Sequence, residues 1–221
     1  MKDSLYVNEI FGSIDGEGVR TGELATFIRL SGCPLRCRYC DTKYALKITD
    51  GKEMSIEYII NKAKEIGYTN ITLTGGEPLM QKNSIKLINK LIENNFIVNV
   101  ETSGAIDITP LLDKDIIITL DYKTLSSGMN NKMVLENISK LRAIDVLKFV
   151  CNKNDLEDIK NVLKRYIIHS YIYFSPIFKE IQPYELVDFL KELNKEGYNT
   201  RKMRVQVQLH KIIWDPDMRG V

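Results

Sequence analysis

Long hydrophobic runs are missing from this 221-residue chain. No segment approaches the ~18 uninterrupted apolar residues that a membrane span needs. The N-terminal stretch MKDSLYVNEIFGSIDGEG lacks an apolar core of signal-peptide length. An excess of either charge is missing too, since 31 basic and 29 acidic residues leave a formal net charge of +2. That balance gives no footprint for nucleic acid or an anionic membrane surface, and neither is expected as a partner. These absences predict a cytoplasmic protein, where thiols stay reduced. Linkers, low-complexity tracts and internal repeats are also missing, so one domain spanning 1–221 is expected. Histidine occurs only twice, as His169 and His210, and cysteine four times.

What is present is a regular alternation. Residues 23–30 (ELATFIRL), 70–76, 96–104, 115–123, 143–151, 171–176 and 203–210 read as strands, being rich in apolar and β-branched residues. Between them, SIEYIINKAKEIG, SIKLINKLIENN, DLEDIKNVLKRY and PYELVDFLKELNKEG carry helical spacing, and NKMVLENISKLR predicts a further helix. Ser55 is a candidate N-cap, Gly67 a candidate C-terminal stop, and Pro183 a helix opener. Strand–helix alternation predicts an α/β fold with a largely parallel sheet. Ligands of such sheets bind at the carboxyl ends of the strands. Gly75, Gly76, Glu77, Glu101, Thr102, Asp121, Lys123, Ser175 and His210 all fall at those ends, which points to one site.

Three of the four cysteines gather in SGCPLRCRYCDT as Cys33, Cys37 and Cys40, spaced C-x3-C-x2-C, while Cys151 is remote. In a reducing compartment such a cluster reads as metal binding or catalysis. A structural zinc site wants four ligands, usually as two close pairs. Three thiolates can hold three irons of a [4Fe–4S] cube and leave the fourth iron open to a ligand. Cys151 ends the apolar run VLKFVC and reads as a buried core thiol.

The C-x3-C-x2-C spacing resembles the signature of the radical S-adenosylmethionine (SAM) superfamily, with Tyr39 at its aromatic position. The stretch from Thr74 to Pro78 is similar to that superfamily's GGEP segment, and Glu101–Gly104 to a further segment near the SAM ribose. More narrowly, EIFGSIDGEG (Glu9–Gly18), ATFIRLSGC, CDT and the closing QVQLHKIIWDPDMRGV resemble the 7-carboxy-7-deazaguanine synthase family over essentially the whole chain.

That resemblance implies a partial, TIM-like barrel of about six βα units, shorter than the ~250 residues of a full barrel. It implies conversion of 6-carboxy-5,6,7,8-tetrahydropterin to 7-carboxy-7-deazaguanine with loss of ammonia. By the same resemblance Cys33, Cys37 and Cys40 hold a [4Fe–4S] cluster, and Thr42 supplies an oxygen to Mg²⁺. Tyr39, Gly75, Gly76, Glu77, Glu101 and Ser103 would bind SAM. Asp121, Tyr122 and Lys123 would join them, as would Ser175, Pro176, Ile177 and Phe178. Ile14, Asp15, Gly16, Glu17, Arg29, Thr74, His210 and Val221 would contact the pterin, with Arg29 taking its carboxylate. Homodimerisation and a one-electron donor such as flavodoxin or ferredoxin are implied as well. Two positions depart from the pattern: Asp15 stands where the family commonly has glutamine, and Asp121-Tyr122 where many members have Ser-Pro. The alternatives are another radical SAM enzyme, such as an activator of a glycyl-radical protein, and a non-enzymatic metal-binding module.

Overall fold

The computed structural model describes residues 3–221. One nine-stranded sheet runs through them, in the order β3-β1-β2-β4-β5-β6-β7-β8-β9. The strands are β1 (Ser4–Ile14), β2 (Leu24–Leu30), β3 (Lys52–Ser55), β4 (Asn70–Gly75) and β5 (Ile97–Thr102), then β6 (Ile116–Tyr122), β7 (Val146–Cys151), β8 (Tyr171–Pro176) and β9 (Met203–Val205). From β2 through β4 to β9 every neighbouring pair is parallel, whereas β1 pairs antiparallel with both β2 and β3. The outermost strands of this order, β3 and β9, do not pair, so the curled sheet is a partial barrel with an open seam. Among the described residues no helix is long and apolar enough to cross a membrane.

Five of the helices are crossovers between parallel strands: α1 (Ile56–Ile66), α2 (Ser84–Glu93), α3 (Asn137–Lys140), α4 (Leu156–Arg165) and α5 (Pro183–Lys195). The sixth crossover, from β5 to β6, contains only the 3₁₀ turn Thr109–Leu111. The helix ends follow the sequence signals. Ser55 Oγ accepts the Tyr58 N–H at 3.1 Å, and Gly67 adopts φ +87° just past Ile66, where a side chain would be strained.

Two expected elements shrink. The helix expected over NKMVLENISKLR survives only as α3, because the buried Asn137 side chain binds the 104–108 loop instead. It donates to Gly104 O and Ile106 O and accepts the Ile108 N–H. The last strand stops at Val205, and His210 opens a short helix, α6 (His210–Ile213). Two strands, β1 and β3, went unread in the sequence.

The two faces of the sheet differ in chemistry. Ile28, Leu30, Ile71, Leu73, Val98, Val100, Ile118 and Leu120 pack outward with Leu147, Phe149 and Phe174 into one core with the helices. That core contains Ile59, Leu87, Ile159 and Leu186 of α1, α2, α4 and α5. The alternate positions carry Thr72, Thr74, Asn99, Glu101, Thr119, Asp121, Lys148 and Ser175. Parallel pairing puts these in register, Glu101 with Thr119 and Asp121 with Lys148. The barrel interior is therefore polar, lined at successive levels by groups that need partners.

At the carboxyl end, β4 finishes tightly under β2. A Cβ on Gly75 would overlap the Leu30 carbonyl oxygen, and one on Gly76 would overlap Gly32 O. Gly75 also has φ +139°. Both glycines serve a close approach of the chain to itself. Gly75→Ala is expected to cost about 2 kcal/mol or more of apo-protein stability. A urea-unfolding midpoint equal to that of the parent would contradict this packing.

Candidate active site

The three-cysteine loop leaves the carboxyl end of β2 and is pinned by its backbone. Gly32 N–H donates to Ala45 O at 2.9 Å, Cys33 N–H to Leu46 O at 3.0 Å, and Glu77 N–H to Gly32 O at 2.8 Å. Arg38 N–H reaches Ser127 O at 3.0 Å. The Tyr39 hydroxyl donates to Val150 O on β7 at 3.2 Å, tying the loop to the far wall. Cys33, Cys37 and Cys40 are free and half-buried. Burial pushes the Cys37 thiol up to about 11 and also raises Cys33, while the Lys123 ammonium opposes the shift in both. Among the described residues no three His, Cys, Asp or Glu side chains are grouped to hold a metal ion. Three thiolates can each take one iron of a [4Fe–4S] cube.

Beneath the loop, Glu77 is fully buried. Its carboxylate accepts the Thr102 hydroxyl at 2.9 Å, the Ser103 N–H at 2.7 Å, the Ser103 hydroxyl, and the Leu79 N–H at 3.1 Å. This side chain welds the TGGEP turn to the ETSG turn. The Glu77 side chain is spent on the protein and is not turned to a ligand. Thr74 donates to Glu101 Oε2 at 2.7 Å, leaving the other Glu101 oxygen free for a second donor.

The interior wall carries a charge network. Lys148 on β7 is 5% exposed. Its ammonium lies 3.1 Å from Glu17 and 3.7 Å from Asp121, and Asp121 also pairs with Lys123 at 3.0 Å. Burial works against both lysine charges, yet Glu17 and Asp121 raise the Lys148 pKa and Asp121 raises that of Lys123. Ser175 donates to the other oxygen of Glu17 at 3.0 Å. Glu17 arrives on the Asp15–Gly22 loop, which folds into the open seam. Gly18 N–H donates to Gln206 Oε1 at 2.8 Å, and Leu209 N–H to Gly16 O at 3.2 Å. His210 lies against Gly16, where an added Cβ would stand 2.9 Å from Nδ1. Burial lowers the His210 pKa, which favours a neutral ring.

Asp15 is deeper still, at 2% exposed. It accepts the Thr72 hydroxyl at 2.6 Å and stands 3.0 Å from Arg20 Nε. Burial pushes its carboxyl up to about 6, against Arg20 and Thr72. Arg20 in turn donates to Ile71 O and Ile97 O at the amino ends of β4 and β5. The charge introduced where glutamine was expected is thus balanced inside the chain.

Two further groups frame the mouth. Arg29 donates from Nε to Glu9 Oε1 at 2.7 Å, with Phe11 and Tyr44 flanking its guanidinium at 6.0 and 5.9 Å. Thr42 donates to Asp41 Oδ1 at 3.0 Å, and Asp41 pairs with Lys211 of α6 at 3.2 Å. Lys211 also sits 5.3 Å from the Phe178 ring centroid.

Most of the sequence-predicted residues therefore meet at one barrel mouth. Tyr122 is an exception and a correction: it points to the opposite face, packs at a 54° tilt against Phe149 with ring centroids 5.3 Å apart, and feels Asp158 and Tyr166 of the helical layer. Strand alternation that turns Asp121 and Lys123 inward must turn Tyr122 outward. Ile177 is core-like at 4% exposed, so its side chain faces packing. Cys151 is fully buried, as expected. Lys148 and Arg20 were missed in the sequence, although a lysine inside VLKFVC was a readable signal. A charge in an apolar strand must be paired.

The chain matches the Radical SAM superfamily over residues 27–193 and belongs to it. The structure is similar to the crystal structure of QueE from Escherichia coli, with a TM-score of 0.72 at 22% identity, covering 93% of this chain and 94% of that one. A 7-carboxy-7-deazaguanine synthase of Clostridium acetobutylicum is 40% identical over 222 residues, covering 97% of this chain and 98% of that protein. One from Leptospira interrogans is 36% identical over 238 residues, covering 97% of each. Within the superfamily, the chain belongs to the 7-carboxy-7-deazaguanine synthases.

Replacing Lys148 by methionine would leave Glu17 and Asp121 facing each other without their buried cation. An expected loss of about 3 kcal/mol or more of stability, with iron content per folded chain unchanged, is checked by denaturant unfolding and iron analysis. Unchanged stability would mean the network does not hold the wall.

Proposed function

We propose that this protein converts 6-carboxy-5,6,7,8-tetrahydropterin to 7-carboxy-7-deazaguanine with release of ammonia. The observation that carries the reading is the meeting of the three-cysteine loop with Arg29, Glu17 and Glu101 at one barrel mouth. When bound, the cluster and SAM supply a 5′-deoxyadenosyl radical, which needs a site closed to water and a substrate held in one pose. The chain's own groups supply the pose.

Arg29 commits only Nε to Glu9. Its two terminal nitrogens make no hydrogen bond among the described residues, and they match a carboxylate's two oxygens. Glu17 and Glu101 are acceptors suited to the ring N–H and amino donors of a pterin. Glu17 is held by Lys148 and Ser175, so it reads those donors from a fixed position. The neutral ring of His210 can donate or accept a proton beside Gly16. Residues 206–221 border the mouth, meeting it at Gly16, Asp41 and Glu9.

Thr42 fits a role in holding Mg²⁺. Magnesium takes oxygen ligands and keeps several from water and substrate, so one hydroxyl beside the Asp41 carboxylate is a sufficient protein share. A cytoplasmic protein of one domain, acting as a homodimer and reduced by flavodoxin or ferredoxin, completes the reading.

The test is anaerobic turnover with SAM, a reductant, Mg²⁺ and the carboxylated tetrahydropterin, read by mass spectrometry. The expected result is the deazaguanine together with 5′-deoxyadenosine. 5′-Deoxyadenosine with no deazaguanine would sink the substrate assignment. Thr42→Ala is expected to flatten the Mg²⁺ response without lowering iron content, and a parental response would remove Thr42 as a ligand.

A further inference from the structure

The open seam lies between β9 and the β3-β1 edge, where β3 covers only Ser4–Val7 of β1, and one tail residue reaches the β1 side of it. Arg219 lies with its guanidinium carbon 3.6 Å from the centroid of the Tyr44 ring. Its Nη2 donates to Asn8 Oδ1 at 3.0 Å and stands 3.6 Å from Glu9 Oε2. The other oxygen of the same carboxylate, Oε1, accepts both Arg29 Nε at 2.7 Å and the Tyr44 hydroxyl at 3.2 Å. Asn8 is itself fixed, because its amide donates to Tyr44 O and Asp50 O. Glu9 is thus shared between two arginines, one oxygen for each, and the Tyr44 ring spaces them.

Half of the Arg219 side chain is exposed, at 52%, and an exposed ion pair alone contributes little. Its stacking on a ring and its hold on a carboxylate that is only 17% exposed make it more than a surface pair. The consequence falls on Arg29. With Arg219 drawing Glu9 Oε2 toward the tail, Glu9 turns only Oε1 to Arg29, and Arg29 meets it through Nε alone. Without Arg219, both Glu9 oxygens are free to form a two-pronged pair with Arg29, which would consume the terminal nitrogens that a ligand carboxylate needs.

We propose that Arg219 is a positioning residue that clamps the tail across the barrel seam and, by sharing Glu9, keeps Arg29 open for the substrate carboxylate. This rests on the reading that Arg29 receives that carboxylate. The clamp itself does not depend on it.

The experiment compares the parent with Arg219→Ala and Arg219→Lys in the reconstituted enzyme. For the carboxylated tetrahydropterin, Arg219→Ala is expected to raise KM about tenfold with kcat within about twofold, and Arg219→Lys to restore most of the loss. A tetrahydropterin lacking the carboxylate, used as a competitive inhibitor, is expected to bind parent and variant alike. An unchanged KM, a loss in kcat alone, or an equal loss for the inhibitor would overturn the role through Arg29. If the parent itself makes no product, the substrate reading fails instead. Hydrogen exchange at the Lys211–Trp214 amides then tests the clamp: faster exchange in Arg219→Ala supports it, and unchanged exchange overturns it.

Discussion

The buried Lys148 ammonium between Glu17 and Asp121 is the contact on which the rest of the interior depends. A barrel of this size normally fills its centre with branched apolar side chains. Here the centre is polar, and desolvating unpaired charges would cost several kcal/mol each. The network offsets that cost by pairing charges: Glu17 and Asp121 with Lys148, Asp121 with Lys123, and Asp15 with Arg20. The apolar work is moved outward, to the layer between strands and helices. A sheet that packs on one face only is free to present chemistry on the other.

The same division explains how the site is assembled from distant sequence. The cysteine loop and the two welded turns after β4 and β5 each belong to a different crossover, and the inward residues of β6 to β8 to three different strands. They converge because parallel strands all end on the same side. The open seam then admits the Asp15–Gly22 loop and the tail, which together complete a wall that a closed barrel would have built from strands. That wall is closed by hydrogen bonds and ion pairs instead of a sheet ladder.

Much of this was legible in the residues. Ser55, Gly67 and Pro183 mark helix ends as they read, and the carboxyl-end residues of the strands collect at one mouth. β1 was not legible: SLYVNEIFGSI does not alternate cleanly, because a register shift between Val7 and Glu9 interrupts it. β3, KEMS, is a short polar edge strand with no hydrophobic signal. The 131–142 segment carries helical spacing, but Asn137 spends its side chain on a neighbouring loop, a tertiary demand that spacing cannot reveal. Tyr122 shows the reverse case. A motif match assigned three consecutive residues to one site, and the two-residue period of a strand allows only the first and third.

The proposed function makes one central demand, that Arg29 hold the substrate carboxylate so that the C–H beside it meets the 5′-deoxyadenosyl radical. Turnover with substrate deuterated at the carbon bearing the carboxylate tests it most directly. The account predicts deuterium in the 5′-deoxyadenosine recovered alongside the deazaguanine. Product formation with unlabelled 5′-deoxyadenosine would contradict it.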